Sequence, residues 1–162
     1  MPELVSYSDT PPRFVWWSRL CFLIATCAIV SVCLRTATTL VDKPFTEDGF
    51  YLLAVARNLG MGNGLTIDGT RLTNGIQPLF AFLAAPAYWI AGGDRVEGLR
   101  GVMLLHSLFF VGAAWWFGLV LRDAVRGTER LRWIGSLSWL ASGYLFNLSH
   151  NGLETGCVLF FY

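Results

Sequence analysis

The stretch VMLLHSLFFVGAAWWFGLVL, Val102 to Leu121, runs 20 residues without an Asp, Glu, Lys or Arg. That is the length a helix needs to cross a hydrocarbon core about 30 Å thick. Working outward from it, two more stretches read the same way. Leu20 to Leu34 lies between Arg19 and Arg35, with Trp16 and Trp17 before it and Thr36 to Val41 after it. Arginines and tryptophans in those places suit a membrane interface. Trp133 to Leu153 also contains no Asp, Glu, Lys or Arg. A fourth apolar segment, Leu79 to Ala91, is shorter, opens after Pro78, contains Pro86 and stops at Gly92 and Gly93. Segments of about 10 to 14 apolar residues are more often interfacial or buried than spanning.

The composition agrees. The chain has 162 residues, 54% of them apolar and 14% charged, with a mean hydropathy of +0.52. An ordinary soluble domain carries roughly 25% charged residues, and a disordered chain needs low hydrophobicity. Long uncharged stretches alternating with short charged ones point instead to an all-α polytopic membrane protein. The net charge of +1 gives no basic footprint for nucleic acid. Cys21, Cys27 and Cys33 fall in one apolar run and Cys157 in another, without CxxC or Cys/His ligand spacing, so they read as small apolar filler.

Charge placement orients the spans. Short cytoplasmic loops collect Lys and Arg, and Arg122, Arg126, Arg130 and Arg132 crowd one linker while Arg13 and Arg19 sit in the N-terminal tail. An even number of crossings must separate the two groups. The expected organisation is a cytoplasmic tail (1–19) and a first span (20–41), then an external loop (42–100) and a second span (101–121). A cytoplasmic loop (122–132), a third span (133–150), a second external loop (151–155) and the start of a fourth span (156–162) follow. The N-terminal run reads as an uncleaved anchor rather than a signal peptide, because no A-x-A site follows Leu34. The short last run reads as the edge of a longer polytopic protein, of which this chain is the N-terminal part.

Within the external loop, Thr46 is placed to cap a helix over 47–59, with Glu47 and Asp48 at its positive end and Gly60 to stop it. Asp68-Gly69 in the alternating stretch 65–73 predicts a hairpin. Asn74-Gly75 marks a turn before a juxtamembrane helix over 78–91. The third span delivers His150, Asn151 and Glu154 to the same face as Glu47 and Asp48. Carboxylates distant in sequence are therefore expected to meet outside the membrane.

The string EDGFYLLAVARNL, Glu47 to Leu59, directly after a first span, resembles the first external loop of the GT-C superfamily of membrane glycosyltransferases. LTNGIQPLF, Leu72 to Phe80, is similar to the Thr-Asn-Gly segment that precedes a proline and an apolar helix in bacterial members. SHNGLET, Ser149 to Thr155, resembles the second external loop, where the family places another carboxylate. The first-loop pair reads Glu-Asp where the mannosyltransferases have Asp-Glu, and the second loop has one acid where oligosaccharyltransferases have two.

The resemblance implies a cell-membrane enzyme that moves a sugar from a polyprenyl-phosphate donor to a hydroxyl of a cell-envelope glycan, lipid or protein. Asp48 would be the catalytic base, with Glu47 sharing or exchanging that role, and Glu154 would orient the acceptor. Arg57, Arg71 and His150 would hold the donor phosphate. Whether a divalent cation takes part stays open; Asp48 and Glu154 are the carboxylates that would hold it. Besides the donor and acceptor, membrane lipids are the expected partners. The segment alone is not expected to turn over. Two other classes compete: a transporter subunit, which would place polar or broken helices near the midplane, and a non-catalytic membrane assembly protein, which has no need for converging acids.

Overall fold

In a computed structural model of the chain, residues 10–42, 44–125 and 127–161 are described. Expectations that touch residues 1–9 of the tail, Lys43, Arg126 and Tyr162 lie outside them. All the regular elements among the described residues are helices, as expected of the all-α class.

Helix α1, Pro12–Val30, begins inside the expected tail. Proline suits a first helical turn, where its missing N–H would have had no partner. A 3-10 turn, Ser31–Leu34, prolongs it, and the extended backbone of Arg35 ends it before the short α2, Ala37–Asp42. Helix α3, Glu47–Gly60, starts where Thr46 Oγ1 accepts from the Gly49 amide at 3.2 Å. Helix α4, Pro78–Ile90, and helix α5, Arg95–Ala124, follow. Helix α5 starts ahead of the expected span because Asp94 Oδ1 accepts from the amides of Val96 and Glu97, both at 2.9 Å. Its 30 residues extend about 45 Å.

Two expectations change in detail. The stretch 133–150 is not one continuous helix. Ser142 adopts an extended conformation that ends α6, Glu129–Ala141, and its hydroxyl accepts from Leu145 N at 3.3 Å to cap α7, Gly143–Ser149. Among the described residues, two helices are therefore long and apolar enough to cross a membrane, Pro12–Leu34 and Arg95–Ala124. The hairpin over 65–73 reduces to a single antiparallel bridge between Thr66 and Leu72. Asp68 Oδ1 accepts from the amides of Thr70 and Arg71 instead of leaving a two-residue turn, which is how Asp side chains compete with strand ladders. The last element, α8, is Thr155–Phe161.

Two apolar clusters hold these helices. Leu52, Leu53 and Ala56 of α3, Phe80, Ala84 and Tyr88 of α4, and Leu99, Val102 and Met103 of α5 form one, joined by Leu40, Phe45 and Cys157. Phe22 and Ile29 of α1, Phe110 and Ala114 of α5, and Trp133 and Leu140 of α6 form the other. Close approach depends on small residues, as in membrane helix pairs. Any Cβ on Gly118 would strike Ser136 and the Arg132 carbonyl of α6, and one on Gly60 would strike the Ala85 carbonyl of α4.

The two ends of the bundle differ in charge. At one end Arg130 lies over the Phe14 ring, 5.5 Å from its centroid, so the start of α1 adjoins the start of α6. There Arg132 lies over Trp115 and Trp133 and, like Arg122, pairs with Glu129. The start of α3 and the loop before α8 meet elsewhere, in the contact described next.

Candidate functional site

The first turn of α3 is clamped to the loop 150–154 that precedes α8. The Asn151 carbonyl accepts from both the amide and the hydroxyl of Thr46, each at 3.1 Å. Gly49 packs so closely on this loop that a Cβ would lie within 3.0 Å of the Gly152 Cα. Gly152 has φ +85°, a left-handed turn suited to glycine. It carries the chain past Gly49 and into Leu153. Residues about a hundred positions apart thus build one edge.

Beside this clamp lies a cavity of about 310 Å³ lined by Asp48, Tyr51, Leu52, Gly75, Ile76, Gln77 and Leu153. Three segments supply it: the start of α3, the turn before α4, and the loop before α8. The Tyr51 hydroxyl lies 3.4 Å from Thr73 Oγ1, tying α3 to the chain that carries Arg71. Asp48 is exposed to solvent; Glu154, next to Leu153, is half-buried.

The remaining site candidates disperse. Glu47 is exposed in the first turn of α3 and lines neither of the two cavities described here. Arg71 is exposed on the Asp68 turn. His150 is fully buried, with one ring nitrogen 3.2 Å from Ser107 Oγ and the other 2.9 Å from both Ser149 Oγ and the Phe146 carbonyl. It stacks on Phe146 with centroids 4.1 Å apart. A ring so enclosed packs the bundle and does not reach a phosphate at the surface. Sequence spacing set His150 one turn before Glu154, but the chain turns at Gly152 between them.

Arg57 lies nine residues after Asp48 on the same helix, a separation of about 13.5 Å along the axis and roughly half a turn around it. It faces a second cavity of about 460 Å³, between α2, α3 and the start of α5. Its Nε donates to the Gly93 carbonyl at 2.7 Å. Helix α3 is therefore a wall with an acidic cavity on one side and a cationic, largely apolar one on the other. Among the described residues no three His, Cys, Asp or Glu side chains are grouped to hold a metal, which leaves Asp48 and Glu154 without a third protein ligand.

Arg95 and Tyr88 of the second cavity and the Thr46–Asn151 clamp escaped sequence reasoning. Only the glycines at 49 and 152 signalled the clamp. A scan of family models, a search of curated proteins and a search of solved structures each return no match.

Proposed function

We propose that this chain is the donor-site segment of a multi-pass membrane glycosyltransferase that uses a polyprenyl-phosphate sugar, with its N-terminus cytoplasmic and Asp48 facing the external side. The observation that carries the reading is the clamp of Thr46 and Gly49 on Asn151 and Gly152, which gives Asp48 and the loop ending in Glu154 a shared edge. Two further observations support the membrane setting. Only 28% and 33% of the apolar windows of the two long helices are covered by protein, whereas the core helix of a soluble domain would be mostly covered. Arg130 beside Phe14 brings the two arginine-bearing segments to one end of the bundle, as the positive-inside rule requires of segments on one side.

In this reading an acceptor hydroxyl enters the 310 Å³ cavity and attacks the anomeric carbon of the donor. Asp48 takes the hydroxyl proton as the new C–O bond forms. The bond from the anomeric carbon to the phosphate oxygen breaks, and the lipid phosphate leaves without a general acid because it is already a good leaving group. Arg71, held near Tyr51 through the turn ending at Thr73, is the external cation best situated to meet the donor phosphate. Glu154 orients the acceptor.

The test is transfer from a polyprenyl-phosphate sugar by the protein that carries this segment. Asp48→Asn should lower turnover by about a hundredfold or more, the usual worth of a positioned base, while stability falls by no more than the roughly 1 kcal/mol that a carboxylate contributes at a helix start. Unchanged turnover would remove Asp48 from the role.

A further inference from the structure

The cavity on the far side of α3 has no lining residue in common with the Asp48 cavity, and it has the makings of a binding site of its own. Its volume of about 460 Å³ and its lining of Val41, Phe50, Leu53 and Leu99 fall within the range of concave, mostly apolar ligand sites. Two guanidinium groups, Arg57 and Arg95, line the same space. Neither has a carboxylate partner among the described residues, where the ion pairs involve Arg100, Arg122 and Arg132. The single hydrogen bond of Arg57 to Gly93 uses Nε, so its terminal nitrogens remain available. Arg95 opens α5 and Val41 lies in the last turn of α2, which follows α1, so the cavity sits at one end of both long helices.

Unpaired cations beside an apolar slot at the end of bilayer-length helices match one chemistry, an anionic head on a hydrocarbon chain. We propose that this cavity binds one anionic bilayer phospholipid, its phosphate between Arg57 and Arg95 and an acyl chain along Val41, Phe50, Leu53 and Leu99. Guanidinium groups pair with phosphate oxygens in a fork geometry, and a chain in the slot removes apolar side chains from water. The lipid would brace α3 against α2 and α5 and so hold the wall whose other face carries Asp48. The proposal does not depend on sugar transfer.

The test uses the full chain in mild detergent micelles doped with phosphatidylglycerol or with phosphatidylcholine, counting retained lipid by native mass spectrometry and following the unfolding midpoint. Wild type should retain one phosphatidylglycerol and gain thermal stability, and phosphatidylcholine should do neither. Arg95→Gln alters an exposed side chain at a helix start and should weaken retention on the order of tenfold, as should Arg57→Gln. Ala54→Phe keeps both arginines but fills the slot and should weaken retention at least as much, while Arg13→Gln, on α1, should leave it unchanged. Equal retention of the two lipids, protection by inorganic phosphate alone, or a folded Arg95→Gln and a folded Ala54→Phe that bind like wild type would each overturn the assignment.

Discussion

Replacing Gly49 with alanine probes the clamp on which the acidic cavity depends. The new Cβ would stand 3.0 Å from the Gly152 Cα and closer still to the Asn151 carbonyl oxygen. Carbon atoms settle at about 3.5–4.0 Å, so the loop must retreat by roughly 0.5–1 Å. Both hydrogen bonds from Thr46 to Asn151 are already 3.1 Å long, and that retreat takes them past the useful limit of about 3.5 Å. Their loss costs about 1 kcal/mol each and the overpacking about 1–3 kcal/mol. Alanine in place of glycine within a helix returns up to about 1 kcal/mol. The net is a destabilisation of roughly 2–5 kcal/mol, against the sign that helix propensity alone would give. Thermal unfolding in mild detergent, followed by far-ultraviolet circular dichroism, measures it. A cycle with Thr46→Val sharpens the test, because Thr46→Val should cost about 1 kcal/mol less once Gly49→Ala has parted the loops. A Gly49→Ala protein as stable as wild type, with additive effects in the cycle, would refute the clamp.

Other sites give further outcomes. Gly118→Ala drives a methyl group into Ser136 and the Arg132 carbonyl and should cost about 1–3 kcal/mol, while Gly143→Ala, which meets nothing within 4 Å, should be neutral or stabilising in the same unfolding assay. His150→Ala empties a buried ring and removes its contacts with Ser107 and Ser149, so stability should fall by about 2–5 kcal/mol; an effect confined to ligand affinity would contradict its buried place. Burial raises the Tyr88 hydroxyl to about 12 from its ordinary 10.0, with Arg57 opposing the shift. Because the folded value lies above the unfolded one, this contribution is complete below pH 10 and is lost as pH rises from there to about 12. Ultraviolet difference titration of wild type against Tyr88→Phe should show one tyrosinate forming at about pH 12 that the variant lacks, and Tyr88→Phe should remove that part of the alkaline loss of stability.

The local features are legible in the order of the amino acids, because they rest on short-range causes. Helix α3 was legible from Thr46, Glu47 and Asp48, which satisfy the amides and dipole of a helix start wherever the chain goes. Helix α4 was legible from Pro78 and the paired glycines, and the helical character of 102–121 from an unbroken run without charge. The break at Ser142 was less legible, since a serine can extend a helix or cap the next one and only the backbone it adopts decides.

The site was legible in its residues and in the expectation that the start of α3 meets the loop ending in Glu154, but not in the contact that joins them. Asp48 and the loop before Glu154 share an edge because Thr46 and Gly49 fit against Asn151 and Gly152, a contact between segments about a hundred residues apart that no local pattern encodes. The resemblance makes Arg57 a ligand of the donor phosphate near Asp48, yet the geometry of α3 puts it on the opposite side of a wall, in a cavity completed by Arg95 from another helix. It gives His150 the same role, and packing holds that ring in the interior beside Ser107 and Phe146. Charge and hydropathy say which residues can meet water or lipid. Which of them meet one another is set by how the helices pack, and that was decided in three dimensions.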